Sequence, residues 1–231
     1  MGTGMYLNSF ICFLIFAFAL WTSFYIYREE KRSWSDMSIA SFWLCAGLTW
    51  LFVGISLIVF KKGLIELDIF INQYLVQTTI FAQITLGIYY VVYRITKNKR
   101  LSFASFLLFI AASIVGLYFA YQPQSLTLVS STYCSTEYKI DPITWNIFQA
   151  MFLFAMLGVG LDVVRNFIYK IKKSDLFEFR YFLTGIAILT YGIFGFLDQL
   201  GFSAAWITVL MRSLIVFCVG IVFIAYSHQE I

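Results

Sequence analysis

Residues 38–60 read SIASFWLCAGLTWLFVGISLIVF, a run without a charged side chain. A helix that crosses the hydrocarbon core of a membrane needs about 20 consecutive, mostly apolar residues. The run meets that length, is about twice as long as a tilted barrel strand, and lacks the alternation of apolar and polar residues that such a strand shows. It therefore predicts a transmembrane helix.

Further stretches of the same kind lie on both sides of it, so we expect seven transmembrane helices. Their predicted bounds, in chain order, are Tyr6–Tyr27, Ser38–Phe60, Leu64–Tyr93, Leu101–Tyr121, Ile143–Ile168, Leu176–Leu200 and Ser203–Ser227. The connections are short apart from the loop 122–142, which is long enough to cap a pocket. The expected fold is a single all-α domain over residues 1–231, a polytopic membrane bundle.

The composition of the whole chain agrees with a membrane protein. Of its 231 residues, 61% are hydrophobic, 20% aromatic and 12% charged, whereas soluble domains have about 45–50% apolar and about 25% charged residues. So few charges cannot cover a water-facing surface, and disorder requires the opposite balance. A soluble globular fold and a disordered chain are both excluded. The net charge of +4 reflects the charged loops, so we expect no nucleic-acid partner.

Basic residues set the expected orientation, because positively charged loops stay on the cytoplasmic side of a membrane. One side of the bundle receives twelve of the 16 basic residues, and the other receives Lys61, Lys62 and Lys139. The twelve are Arg28, Lys31, Arg32, Arg94, Lys97, Lys99, Arg100, Arg165, Lys170, Lys172, Lys173 and Arg180. We expect the N-terminus outside, the C-terminus in the cytoplasm, and the protein in the plasma membrane.

Several membrane chemistries lack the residues that they need. The single histidine, His228, cannot supply paired haem ligands, and there is no H-E-x-x-H zinc motif. The last span has no lysine to form the Schiff base of a retinal protein. Because no nucleophile, base and orienting group stand out together, we expect no enzyme activity, no cofactor and no metal site.

Amide side chains in two spans predict a ligand site. Polar groups within a span are costly and usually face the interior of the bundle. In the third span they fall on one side of a helix drawn at 100° per residue, and in the fifth span Asn146 and Gln149 share a face. The residues expected to line an outward-opening pocket are Asn72, Gln73, Gln77, Gln83, Trp145, Asn146 and Gln149. The alternative role for these amides is hydrogen bonding between helices.

An ion pair is expected between the last two spans. Tyr191 and Asp198 are seven residues apart and lie on one stripe of the sixth span. Arg212 lies ~14 Å below the outer surface at a rise of 1.5 Å per residue. Because helical side chains lean toward the N-terminus of their helix, Asp198 and Arg212 lean toward the same depth. We interpret the pair as a structural staple or, with Tyr191, as a switch.

Two further patterns concern packing. Asp162 and Arg165, three residues apart near the end of the fifth span, are interpreted as an interfacial ion pair. Small residues let helix backbones approach closely in membranes. The glycines expected at such contacts are Gly158, Gly160, Gly185, Gly192 and Gly195.

The layout resembles the seven-span sensor region that precedes bacterial histidine kinases. The similar features are the topology, the short loops and the last hairpin, in which residues 180–185 (Arg-Tyr-Phe-Leu-Thr-Gly) enter the sixth span and residues 192–201 lead to the seventh. The resemblance implies a sensor that binds a small ligand from outside and signals by shifts of its last three helices. Because no kinase domain follows Ile231, signalling would need a cytoplasmic or membrane partner, unless the chain is a severed input module.

Two other functions stay open at this point. A small-solute transporter or channel would use the same amides along a path through the bundle, but the inner halves of the first, second and fourth spans are almost wholly apolar. An accessory subunit of a larger membrane complex would need neither ligand nor cavity. A pocket closed at its inner end, as in a sensor, is therefore favoured.

Overall fold

The computed structural model describes residues 3–28, 33–132, 135–175, 177–199 and 205–227. Seven of its helices are long and apolar enough to cross a membrane, which confirms the all-α polytopic bundle. Some positions used in the predictions lie outside the described residues; they are the span bounds at 176, 200 and 203, and also Lys31, Arg32, Gly201, His228 and Ile231.

The seven helices are numbered in chain order. Their bounds are α1 Thr3–Arg28, α2 Trp34–Lys61, α3 Ile65–Thr96, α4 Lys99–Ala120, α5 Pro142–Ile171, α6 Phe179–Gln199 and α7 Ala205–Ser227. Several extend beyond the apolar stretches because polar residues cap them in the flanking segments. Ser33, for example, accepts a hydrogen bond from the backbone N–H of Asp36 and starts α2 four residues before the predicted bound.

The long connection 122–142 contains a β-hairpin that the sequence did not predict. Strand β1 (Leu126–Ser131) pairs antiparallel with β2 (Thr136–Ile140), and the register slips between Leu128 and Ser130. Short strands with mixed polar and apolar residues leave little periodic signal, which explains the omission. The end of the bundle that carries this hairpin is called the hairpin end below, and the opposite end is called the far end.

Six of the helices form a closed ring and the seventh lies outside it. The ring runs α1, α2, α3, α5, α6, α7 and returns to α1, while α4 packs mainly against α3 and α5. The ring core contains the fully buried side chains of Ile15, Trp43 and Ile215. On α4, by contrast, Leu108 and Tyr118 are exposed, as expected for a helix with one packed side.

Helix α3 is not a uniform α-helix. An α-helical start (Ile65–Phe70) leads into a π-helical turn (Ile71–Val76), and the α-helix resumes over Gln77–Thr96. A π turn closes hydrogen bonds over five residues instead of four. It therefore changes the angular phase of the residues before it relative to those after it, which matters for the polar side chains of α3.

Glycines bring neighbouring helices together at some of the predicted positions and not at others. A Cβ atom on Gly158 of α5 would overlap the side chain of Val91 on α3, and one on Gly192 of α6 would lie 2.5 Å from Sδ of Met156. The expectation is wrong for Gly160 and Gly195, where an added Cβ would have no atom of a neighbouring helix within 4 Å among the described residues.

The Gly158 contact gives a first testable prediction. Gly158→Ala should lower the free energy of unfolding by about 1–3 kcal/mol, because an added methyl group overpacks a fixed helix crossing. Val91→Ala in the same chain should restore part of this loss by removing the opposing methyl groups. Gly160→Ala, two residues along α5, is the control and should be close to neutral. Thermal unfolding in detergent micelles checks all three, and a double variant no more stable than Gly158→Ala would contradict the contact.

Candidate functional site

A cavity of about 370 Å³ lies at the hairpin end, between α2, α3, α5, α6, α7 and the hairpin. This volume falls within the range of small-molecule sites, roughly 300–1,000 Å³. Its lining is mixed. Apolar lining residues include Val76, Ile80, Ile84, Phe148, Phe152 and Phe196, and polar ones include Thr49, Asn72, Gln77, Gln83, Tyr191, Asp198 and Arg212.

Most of the polar residues predicted in α3 do reach this cavity. Asn72, Gln77 and Gln83 line it, whereas Gln73 does not. The Nε2 of Gln73 donates to the carbonyl oxygen of Ala120 at the end of α4, at 2.9 Å. A uniform α-helix would place Gln73 and Gln77, four residues apart, on one face. The π turn instead closes its hydrogen bonds over five residues, so that Asn72, five residues before Gln77, shares the cavity side with it and Gln73 bonds toward α4.

The polar residues predicted in α5 lie elsewhere. Asn146 is exposed and Gln149 is half-buried, and neither lines the cavity. The expectation that their face lines the bundle interior is therefore wrong. Trp145 lines a separate crevice beside Gln77 and stacks on Phe148. The face of α5 that turns inward carries Met151 and Ala155 in addition to Phe148.

Two of the cavity amides lack a full set of protein partners. Gln77 and Gln83 are 8% and 7% exposed. Within the described parts of the chain, no protein group hydrogen-bonds the Gln77 amide, and Gln83 uses only Oε1, which accepts from the hydroxyl of Tyr191 at 3.5 Å. That hydroxyl in turn accepts from Nε1 of Trp50 at 3.1 Å. Buried polar groups are normally hydrogen-bonded, so these amides offer bonds to a ligand or to water.

The predicted pair between Asp198 and Arg212 is present at the wall of the cavity. Nη2 of Arg212 lies 3.0 Å from Oδ2 of Asp198, and its Nε lies 3.1–3.2 Å from both carboxylate oxygens. Nη1 donates to Sγ of Cys12 at 3.6 Å, and the guanidinium lies 5.4 Å from the ring centroid of Trp50. The two side chains are only 8% and 4% exposed, so each charge depends on the other for compensation.

Asp68, whose role was not predicted from the sequence, connects α3 to the hairpin. Its buried carboxylate accepts hydrogen bonds from the hydroxyls of Ser56 and Tyr138 and, at 3.0 Å, from Nδ2 of Asn72. Tyr138 lies in β2 and lines the cavity. The spacing could have predicted its contact with Asn72, because a carboxylate four residues earlier lies on the same helix face. Asp68 thus holds the hairpin over the cavity.

A second cluster of charges lies at the far end. Nε of buried Arg94 is 3.5 Å from Oδ2 of Asp162, and its Nη1 is 2.6 Å from Oε2 of Glu178. The guanidinium lies 4.0 Å from the ring centroid of Tyr181. Asp162 also pairs with Arg165, as predicted. The role of Arg94 was missed because its partners come from α5, α6 and the segment between them.

A neighbouring contact ties α2 to the start of α6. Oδ1 of Asp36 accepts a hydrogen bond from the hydroxyl of Tyr181 at 2.9 Å and lies 3.4 Å from Nη2 of Arg180. Arg180 was predicted only as a loop charge that sets orientation. Its side chain and that of Asp36 are 16% and 3% exposed, so the pair is part of the packed far end.

Three aromatic side chains pack together beside the cavity. Phe42, Trp43 and Tyr191 pack edge to face at ring-centroid distances of 5.1–6.2 Å. A second cavity, of about 40 Å³, lies beyond Gln83 and Tyr191, which line both cavities. Its other lining residues are mainly apolar, with Tyr90 as the exception.

No three His, Cys, Asp or Glu side chains among the described residues come together as a metal site requires. The chain matches no model of a known protein family and no curated protein.

Proposed function

We propose that this protein is a receptor-like membrane protein that binds a small amphiphilic ligand in the cavity at the hairpin end. The observation that carries the proposal is the combination, in one cavity, of incompletely partnered amides on α3 with apolar side chains of α5 and α6. Small-molecule sites typically combine a mainly apolar wall with a few placed polar groups. Asp198 and Arg212 extend the polar wall without adding net charge.

We further propose that the hairpin end faces outward from the plasma membrane. The far end holds Lys97, Lys172 and Lys173 in its connections and Lys99 and Arg100 in the first turn of α4, and such basic residues favour the cytoplasmic side. The N-terminus would then lie outside, the C-terminus inside, and a ligand would reach the cavity from the outer side, beneath the hairpin.

Helix α6 supplies the link between the cavity and the cytoplasmic side. In its C-terminal half, Tyr191 and Asp198 line the cavity. Near its N-terminal end, Arg180 and Tyr181 contact Asp36 of α2. A ligand that binds one position of α6 more tightly than another shifts the population of the two positions. The far end is where a cytoplasmic or membrane signalling partner would detect that shift.

A pair of glycine variants tests the ligand site. Gly195 lines the cavity and Gly220 on α7 does not, and an added Cβ at either has no atom of a neighbouring helix within 4 Å in the part of the chain that the structure describes. Gly195→Leu should fill the cavity and Gly220→Leu should leave it open. In lipid nanodiscs, a panel of uncharged amphiphilic fragments should include compounds that raise the Tm of the wild type and of Gly220→Leu but not of Gly195→Leu. A fragment at ten times its Kd stabilises by about 1.4 kcal/mol.

The same panel decides between the open alternatives. If no fragment distinguishes Gly195→Leu from Gly220→Leu, the ligand site is wrong and an accessory subunit is favoured. For a receptor, a stabilising fragment should change hydrogen exchange in residues 172–175 at the far end and should not accumulate in proteoliposomes. Protein-dependent accumulation of the fragment would instead identify a transporter.

A further inference from the structure

Four aromatic rings beside the cavity are nearly parallel. Trp145, Phe148 and Phe152 of α5 and Phe196 of α6 form a closed set, in which neighbouring rings have centroids 5.2–6.1 Å apart and planes within 22°. We call this set the aromatic stack. Three of its members, all except Trp145, line the cavity. Elsewhere in the core of the helix bundle, aromatic side chains cross at steep angles, such as 87° between Phe42 and Trp43.

The sequence explains why the stack forms. Trp145, Phe148 and Phe152 are three and four residues apart and therefore share one face of α5. Gly192 precedes Phe196 by one helical turn, and a Cβ on it would lie 3.4 Å from Cε2 of Phe152. Without that Cβ, α6 can approach α5 closely enough for Phe196 to lie 5.3 Å from Phe152, at an angle of 13°.

The charges that line the cavity balance one another. Asp198 pairs with Arg212, and the hairpin contributes Glu137 and Lys139. Because these four charges sum to zero, the lining as a whole favours neither an anionic nor a cationic ligand. Its buried and incompletely partnered groups include the amides of Gln77 and Gln83, which can both donate to and accept from the polar groups of an uncharged compound.

We propose that the ligand is an uncharged flat ring compound whose edge carries a carbonyl, hydroxyl or ring nitrogen. The ring lies parallel to Phe152 and Phe196, because offset stacking on parallel rings is a favoured arrangement. Gln77 and Gln83 hydrogen-bond its polar edge. This inference rests on the proposed ligand site and adds the chemical class of the ligand.

Two probes that differ mainly in flatness test the inference. Quinolin-2(1H)-one has a planar ring system with a lactam edge, and decahydroquinolin-2-one has the same skeleton and lactam but a saturated, puckered ring. The wild-type protein in nanodiscs should bind the flat lactam at least several-fold more tightly. Naphthalene, which is flat but has no polar edge, should bind more weakly than the flat lactam, since it leaves the amides unpaired.

Side-chain variants locate the contacts. Phe152→Leu and Phe196→Leu should each raise the Kd of quinolin-2(1H)-one by about 2- to 12-fold, the loss expected for one aromatic contact. Phe154→Leu, an exposed phenylalanine on the same helix, is the control and should leave the Kd unchanged. Gln77→Leu should also raise the Kd, and Gln149→Leu, outside the cavity, should not.

The outcomes separate this inference from the ligand site itself. Equal binding of the flat and saturated lactams, or equal effects of Phe152→Leu and Phe154→Leu, overturns the flat-ring class. The same holds if other fragments bind in the cavity and quinolin-2(1H)-one does not. Only the absence of any fragment sensitive to Gly195→Leu overturns the proposed function as well.

Discussion

Replacing Arg212 by leucine should lower the free energy of unfolding by about 3–5 kcal/mol. The substitution leaves the Asp198 carboxylate, 4% exposed, without its counter-charge within a membrane-spanning segment. An uncompensated charge at that depth is expensive, whereas the leucine itself fits an apolar environment. Denaturant or thermal unfolding of the purified protein in nanodiscs measures the effect.

Further variants distinguish the effect of the ion pair from the effect of side-chain size. Asp198→Leu alone should be destabilising to a similar degree, because it leaves Arg212 buried and unpaired. The double variant Asp198→Leu with Arg212→Leu should be more stable than either single variant, since no charge remains buried. Exchange of the two charges should likewise improve on its single components. Additive losses in both double variants would refute an interaction between the two groups.

Arg94→Leu should have an effect of similar size, a loss of about 3–5 kcal/mol, at the far end. Most of it comes from Asp162, whose side chain is 2% exposed, because Glu178 is 43% exposed and solvent screens its charge. Asp162 keeps its contact with Arg165, which sets an upper limit to the loss. Unfolding in nanodiscs, as for Arg212, provides the measurement.

Two arginine controls accompany this variant. Arg94→Lys keeps the charge but loses the planar donor fork. We expect its free energy of unfolding to lie between those of the wild type and Arg94→Leu. Arg100→Leu removes an exposed arginine near the same end of the bundle and should stay within about 0.5 kcal/mol of the wild type. If Arg100→Leu and Arg94→Leu are equally destabilising, overall charge and not the buried cluster accounts for the loss.

The number and position of the spans could be predicted because each is a long apolar stretch whose signal is local. The pairing of Asp198 with Arg212 was predictable for a similar reason, since two helices joined by a short connection are neighbours. The hairpin had no such signal. Its strands are short and carry both polar and apolar residues. Only the backbone pairing, which runs from Leu126 with Ile140 to Ser131 with Thr136, reveals them.

The errors at the site arose from helix phase and from distant contacts. A helical wheel assumes a constant angle per residue, and the π turn breaks that assumption between Gln73 and Gln77. In α5 the wheel was sound, but it could not show which face turns inward. Arg94 reads as a loop charge beside its sequence neighbours, and only the tertiary structure brings Asp162 and Glu178 to it.

The two ends of α6 are fastened to different neighbours, and this restricts how the helix can travel. Arg180 is held to Asp36 of α2, and Asp198, about 27 Å along the axis at 1.5 Å per residue, is held to Arg212 of α7. A sliding, piston-like displacement would lengthen both ion pairs at once, since the hydrogen bonds of each tolerate a lengthening of only a few tenths of an ångström. A tilt of the helix about one ion pair strains only the other ion pair. A movement of α6 that keeps one of these ion pairs intact is therefore a change of angle, and its amplitude grows with distance from that pair.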